Sequence, residues 1–282
     1  MAEVREVRVE VAGVGAPVLE AGPSEKTEAV VFVHGNPCSS EDWRALVAGT
    51  GDCARAVAPD LPNFGRADRR ADFDVTLEGY ARWLDGALGE LGVQRAHLVL
   101  HDWGGGIGFM WATEQPERVA SLTLCNVGVQ RGYRWHSAAR VWRIPVVGEA
   151  LQAITTPKVL VRALTKDNPG LPKEAAERMA ADNDRATKRA ALALYRSVRF
   201  DGPEGDEAAD RIEARLGEVP VNVLWGAKDP YIGVEFADAQ RVSWPHATIT
   251  ILPDAGHWPF LDEPERAAEV VLPFLRAQTA GG

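Results

Sequence analysis

The stretch His101-Asp102-Trp103-Gly104-Gly105 sets a carboxylate between an apolar run, Ala96-His97-Leu98-Val99-Leu100, and a segment from Gly106 to Ala112 that has the apolar face of a packed helix. That order reads as a buried strand, a turn too tight for large side chains, and a helix. An acid at the apex lies beside the unpaired N–H groups and positive dipole end of the helix, which should keep it ionised at neutral pH. An ionised, held carboxylate is a ready nucleophile, able to attack saturated carbon where a serine would first need a base. In a purely structural reading Asp102 caps the helix. A dinucleotide loop is excluded, because Gly104, Gly106 and Phe109 break the G-x-G-x-x-G spacing.

The elements around this turn alternate. Val4 to Glu10, with Val18-Leu19-Glu20 and a turn at Gly22-Pro23-Ser24, predicts an antiparallel hairpin. Ala29 to Val33 is unbroken apolar, as a strand covered on both faces requires. Short strands over Ala54–Ala58, Val119–Asn126, Val221–Gly226 and Thr248–Leu252, with helices at Leu77–Leu91 and Pro264–Gln278, complete an α/β sheet with right-handed crossovers. From residue 129 to residue 216 the β signal stops, and Ala-rich helical segments with an acidic loop around Asp201 to Asp210 predict a helical insertion. The division is therefore a core of residues 1–128 and 217–282 and a helical cap of residues 129–216, ended by a loose tail from Thr279.

Four loops follow predicted strands: His34-Gly35-Asn36-Pro37, His101-Asp102-Trp103, Gly226-Ala227-Lys228-Asp229-Pro230 and Asp254-Ala255-Gly256-His257-Trp258. In an open parallel sheet the carboxyl ends of the strands share one edge, where ligands bind, so these loops should converge. The chain order of acid, acid and histidine is that of the strand-turn-helix hydrolases.

On these residues the chain resembles the α/β-hydrolase fold over nearly its whole length, and His34-Gly35-Asn36-Pro37 with His101-Asp102-Trp103-Gly104 resembles the haloalkane dehalogenases. The resemblance implies Asp102 as nucleophile, His257 as general base, Asp229 as the carboxylate orienting it, and Trp103 and Asn36 as side-chain donors to the departing halide. One branch of the family carries its acid just after the strand that precedes the cap; this chain has Asn126 there, which favours Asp229. The backbone N–H groups of Asn36 and Trp103 would serve the oxyanion of ester hydrolysis. Local readings stand beside these roles: packing for Trp103, and turn chemistry for Asn36-Pro37 and Asp229-Pro230.

Epoxide hydrolases share the fold, the aspartate and the following tryptophan, and use cap tyrosines to protonate the opening oxygen. Tyr195 is similar to one of these, with Tyr133 and His136 lying earlier than the family's usual second partner, while cap packing is its other reading. Leu100, two residues before the nucleophile, and Asn36 favour the dehalogenases. A hydrolase fold kept only for binding is the third alternative.

Composition narrows the partners. The 282 residues carry a net charge of −9 without a basic cluster, so the footprint of nucleic-acid binding is missing. No leader-like start and no apolar run of spanning length occur, which predicts a cytoplasmic chain without a membrane partner. Three widely spaced cysteines, Cys38, Cys53 and Cys125, fit reduced thiols. His97 and His101 lie roughly 13 Å apart on an extended strand, too far to share a metal, and neither metal nor cofactor is implied. The expected partners are a small apolar organic substrate and water, and the expected assembly is a monomer or small homo-oligomer. His34 is assigned to its turn, and His136 and His246 to the surface or the cap.

Overall fold

The computed structural model describes residues 1–200 and 202–280. Its sheet contains β1 (Arg5–Val11), β2 (Val14–Ala21), β3 (Glu28–Val33), β4 (Ala56–Pro59), β5 (Arg95–His101), β6 (Val119–Cys125), β7 (Val221–Gly226) and β8 (Thr248–Leu252). The spatial order is β1-β2-β4-β3-β5-β6-β7-β8. The β1/β2 and β2/β4 pairs are antiparallel and the remaining pairs parallel. The expected hairpin is present, but its turn is Ala12-Gly13, both at positive φ, whereas Gly22 starts the link to β3. Two central residues of that hand match the twist of the flanking strands, and the glycine takes it without strain.

The unbroken apolar strands are buried on both faces because helices cover both. Three helices precede β6: α1 (Arg44–Thr50), entered through a 3-10 turn at Ser40–Trp43, α2 (Leu77–Glu90) and α3 (Trp103–Glu114). Along β5, Leu98 and Leu100 join Leu84 of α2 and Ile107 of α3 on one side, while Val99 joins Val47 of α1 on the other. Full burial of each such side chain contributes about 1.5–3 kcal/mol.

Among the described residues six helices lie between β6 and β7: α4 (Ser137–Trp142), α5 (Val147–Ile154), α6 (Pro157–Asp167), α7 (Lys173–Asp182), α8 (Arg185–Ser197) and α9 (Pro203–Leu216). The acidic stretch read as a loop is α9 over its described part, with Asp201 outside the described residues. Pro203 opens this helix, Glu204 and Asp206 occupy the first turn where the dipole favours anions, and Arg215 occupies the last. Ala209 and Leu216 supply the buried contacts that its net charge conceals. The inserted helices are fastened to loops of the sheet: Arg178 pairs with the fully buried Asp42 at 2.5 Å, Thr187 Oγ1 donates to the Asn63 carbonyl at 2.8 Å, and Arg69 pairs with Asp184 at 3.0 Å.

The chain closes with α10 (Glu235–Ser243), α11 (Pro259–Asp262) and α12 (Pro264–Thr279). Val271 and Leu275 of α12 join Val99 and Val47 beneath the sheet. The expected tail is helical at Thr279; Gly281 and Gly282 lie outside the described residues.

Candidate active site

Asp102 is the hinge between β5 and α3, with φ 50° and ψ −126°. A side chain held in that region costs on the order of 1–3 kcal/mol, so the neighbours must enforce it. They do so by close approach: a Cβ at Gly104 would lie 2.1 Å from the Val33 carbonyl oxygen, and one at Gly35 would lie 2.3 Å from Asp102 Oδ2. Glycine at both positions lets the β3 loop touch the acid. The Asn36 backbone N–H donates to Asp102 Oδ2 at 2.8 Å, and the Trp103 N–H also reaches the carboxylate.

Burial pushes the Asp102 carboxyl above the ordinary carboxylate range, against the pull of His257 and of the Asn36 and Trp103 N–H groups. The helix N-terminus was expected to settle its ionisation. Desolvation in a closed site is the larger influence, and the donors limit its effect.

His257 Nε2 stands 3.9 Å from Asp102 Oδ1, a gap longer than a hydrogen bond. Its Nδ1 lies 2.7 Å from Asp229 Oδ2. An ionised carboxylate only accepts, so Nδ1 carries the proton and the Nε2 lone pair faces Asp102. Burial disfavours the imidazolium, but Asp229, through charge and hydrogen bond, and Asp102 outweigh it, and the His257 pKa stands above the ordinary imidazole value.

Asp229 is itself saturated with donors. Oδ2 also accepts from Asn126 Nδ2 at 2.6 Å, and Oδ1 accepts the N–H groups of Tyr231 at 2.7 Å and Ile232 at 3.0 Å. Asn126 is fixed in turn, its Oδ1 accepting from the Gly226 N–H at 2.8 Å. Sequence reasoning used Asn126 only as a missing acid; it is a donor to the acid that is present.

Two further holders of His257 were not foreseen. Asn168, at the end of α6, accepts the His257 N–H at 3.1 Å, and His101 Nε2 lies 2.9 Å from the His257 carbonyl, to which it donates. His101 is buried against Trp43, Trp258 and Phe260, and burial with the nearby His257 pushes its pKa well down, so it stays neutral. Its place one residue before Asp102 was the available signal. As assigned, His34 serves its loop: Nε2 accepts the Leu61 N–H at 2.9 Å.

These groups open into a cavity of about 270 Å³. Trp103, Gly106, Met110 and Thr113 line it at helical spacing along α3, a path of about 15 Å at 1.5 Å per residue. Gly205, Ala208 and Ala209 of α9 line it with small side chains, and Ile212 lies beside them. The walls near Asp102 are aromatic: Tyr195 meets Trp103 edge to face at 4.7 Å between centroids, and Trp135 stacks on Trp103 at 6.0 Å.

The Trp103 and Asn36 side chains lie near the Tyr195 hydroxyl, where they oppose the rise in its pKa. Burial and the Asp102 charge push the Tyr195 pKa well up, so the phenol keeps its proton. Tyr133 also lines the cavity, and burial raises its pKa too. His136, assigned to the surface or the cap, lines the cavity at the start of the inserted helices, where burial and His257 push its pKa down to about 4. His246 is exposed.

The chain can be set against known proteins. It is 29% identical to a cis-3-alkyl-4-alkyloxetan-2-one decarboxylase of Xanthomonas campestris pv. campestris, over 94% of this chain and 92% of that protein. A haloalkane dehalogenase of Mesorhizobium japonicum is 27% identical over 91% of this chain and 86% of that one. The crystal structure of an epoxide hydrolase from Vigna radiata superposes with a TM-score of 0.80 at 21% identity, covering 98% of both chains, a likeness of fold. Residues 28–264 match the family described as alpha/beta hydrolase fold. With that match spanning most of its length, and the sheet order and strand-turn-helix acid in agreement, the chain belongs to the α/β-hydrolase fold family.

Proposed function

We propose that this protein is a hydrolase that cleaves carbon–halogen bonds of small apolar molecules through an ester on Asp102, with the inserted helices acting as a cap. The carrying observation is the pairing of Asp102 with His257: one carboxylate oxygen is held by the Asn36 N–H while the other faces the free Nε2 across 3.9 Å, at the wall of an aromatic cavity.

In the first step an electron pair of Asp102 Oδ1 forms the carbon–oxygen bond, and the carbon–halogen bond breaks with its pair on the halide. The Trp103 and Asn36 side chains, which lie near the Tyr195 hydroxyl, donate to that halide. In the second step a water in the gap gives its proton to His257 Nε2 and adds to the ester carbonyl. The Asn36 and Trp103 N–H groups take the oxyanion at Oδ2. Collapse releases the alcohol, which recovers the proton from His257, and restores Asp102. Asp229 keeps the Nδ1 proton in place throughout.

A second reading has its own support. The Tyr195 phenol stands against Trp103 beside the nucleophile and keeps its proton, so it is placed to give one to a leaving oxygen. An epoxide is the substrate of that class, and the decarboxylase relative, named for an oxetanone, shows another strained oxygen ring. Short bromoalkanes and an aryl epoxide given side by side decide, read as bromide and as diol. Bromide release that survives Tyr195→Phe supports the first reading. Diol without bromide, lost in Tyr195→Phe, replaces it with the second.

A further inference from the structure

Five of the large apolar side chains that stand in solvent belong to one short region: Ile144, Val146, Val147, Ile154 and Val159. Val147 and Ile154 are seven residues apart on α5 and share a face, Ile144 and Val146 precede that helix, and Val159 lies just past the turn into α6. Val146 sits at φ 71°, a conformation a β-branched residue resists, with its side chain 77% exposed. An apolar group held outward at such cost calls for a ligand outside the chain.

The same region is basic, although the chain as a whole is acidic. Lys158, Arg162 and Lys166 recur every fourth residue and form one exposed stripe along α6. The linear sequence shows no basic cluster because the helix, not the chain order, brings them together. Among the described residues none of the three is ion-paired. Thr155, Leu160 and Ala163, interleaved with these residues, line the cavity that holds Asp102. The surface is thus the rim of the route to the site.

We propose that this rim docks on an anionic lipid bilayer, with Ile144, Val146, Val147, Ile154 and Val159 entering the acyl boundary and Lys158, Arg162 and Lys166 meeting lipid phosphates. Apolar side chains beside a row of unpaired cations match an interface of that charge and polarity. A second copy of the chain fits less well. The carboxylates of this region are Glu149, already engaged by Arg196 at 2.6 Å, and Asp167 at the end of α6, so a self-complementary two-fold contact would still leave cations of the stripe facing one another. Docking would let apolar substrates pass from the bilayer to the cavity without crossing water. It revises the expectation of no membrane partner, which rested on spanning segments: no helix among the described residues is long and apolar enough to cross a bilayer, and surface binding needs none.

The test is flotation of the full chain with vesicles of phosphatidylcholine alone or mixed with phosphatidylglycerol. At a net charge of −9 the chain should be repelled by anionic vesicles unless one face is adapted to them. The wild type should float with the mixed vesicles and not with the neutral ones. A Lys158→Glu, Arg162→Glu, Lys166→Glu variant should lose on the order of a hundredfold in partitioning, as should Val146→Ser with Ile154→Asn, each with its thermal unfolding midpoint within a few degrees of the wild type. Three results would overturn the proposal: a wild type that stays in solution, charge reversal without effect on flotation, or a wild-type dimer split by Ile154→Asn while no form binds vesicles.

Discussion

Replacing Asp229 by asparagine tests the base assignment at its most specific point. Four donors converge on this carboxylate: His257 Nδ1 and Asn126 Nδ2 on Oδ2, and the N–H groups of Tyr231 and Ile232 on Oδ1. An amide offers one oxygen, so it can satisfy one pair. With its oxygen towards His257, the two backbone donors, which cannot move, would both face an NH₂ group. With its oxygen towards the backbone, one buried N–H, the one Asn126 Nδ2 aims at position 229, loses its acceptor while Nδ2 keeps its 3.4 Å contact with the Gly226 carbonyl, because His257 can shift its proton from Nδ1 to Nε2 and accept instead. Asn126 cannot turn to help without giving up the Gly226 N–H. The second arrangement leaves one fewer orphaned donor, a difference of about 1–3 kcal/mol.

In that arrangement Nε2 carries a proton towards Asp102 and can no longer take one from water. Ester formation needs no base and should continue. Ester hydrolysis should slow on the order of 10³- to 10⁴-fold, or about 4–5.5 kcal/mol. Rapid-quench kinetics on a turned-over substrate should show one equivalent of leaving group released and then a stall, with the alkyl mass on the peptide containing Asp102. A folded Asp229→Asn variant turning over within about tenfold of the wild type, or one without the initial burst, would refute the reasoning.

Adding Asn126→Asp to that variant returns a carboxylate one hydrogen bond from position 229 and should recover at least tenfold of the lost turnover, read in steady state; no recovery means that this neighbourhood cannot orient His257. Gly35→Ala should abolish turnover and destabilise the fold by about 1–3 kcal/mol, since its Cβ would meet Asp102 Oδ2 at 2.3 Å; chemical denaturation and activity together check this. Because His257 has a raised pKa, turnover should fall as pH drops through a value above the ordinary imidazole range of about 6.5. By linkage, its contribution to stability is full below about 6.5 and is lost as pH rises through the folded value, so activity and thermal midpoint should move in opposite directions across that window. Asn168→Ala removes the acceptor of the His257 N–H and should lower kcat more than it raises KM; loss of thermal stability with kcat unchanged would show that this bond packs the loop without positioning His257.

Much of this arrangement is legible in the chain, for identifiable reasons. The runs ending at Val33, Leu100 and Gly226 are apolar on both faces, which only a covered parallel sheet tolerates, and each is followed by a polar loop carrying Asn36, Asp102 or Asp229. Shared strand ends then bring those loops together without further information. What escapes is set by tertiary contacts. The acidic stretch before Leu216 has too much charge to read as a packed helix until Ala209 and Leu216 are seen buried. Ala12 gives no sign that it will adopt a left-handed turn. Asn126 and Asn168 lie about 100 and 90 residues from the groups they hold, separations at which sequence spacing carries no signal. Tyr195 could be flagged as an aromatic of the insertion, but its contact with Trp103 depends on how α8 lies over α3.

The bond between Arg178 of α7 and Asp42 bears on how molecules get in. Lifting the inserted helices as a body would part a buried carboxylate from its cation and break the ties to Asn63 and Asp184 with it, all of which favours the closed arrangement. Traffic then depends on an aperture of fixed frame, widened by single side chains swinging aside. Such a doorway can be resized one residue at a time without disturbing the machinery behind it, which gives a lineage an inexpensive way to change what it admits while keeping how it reacts.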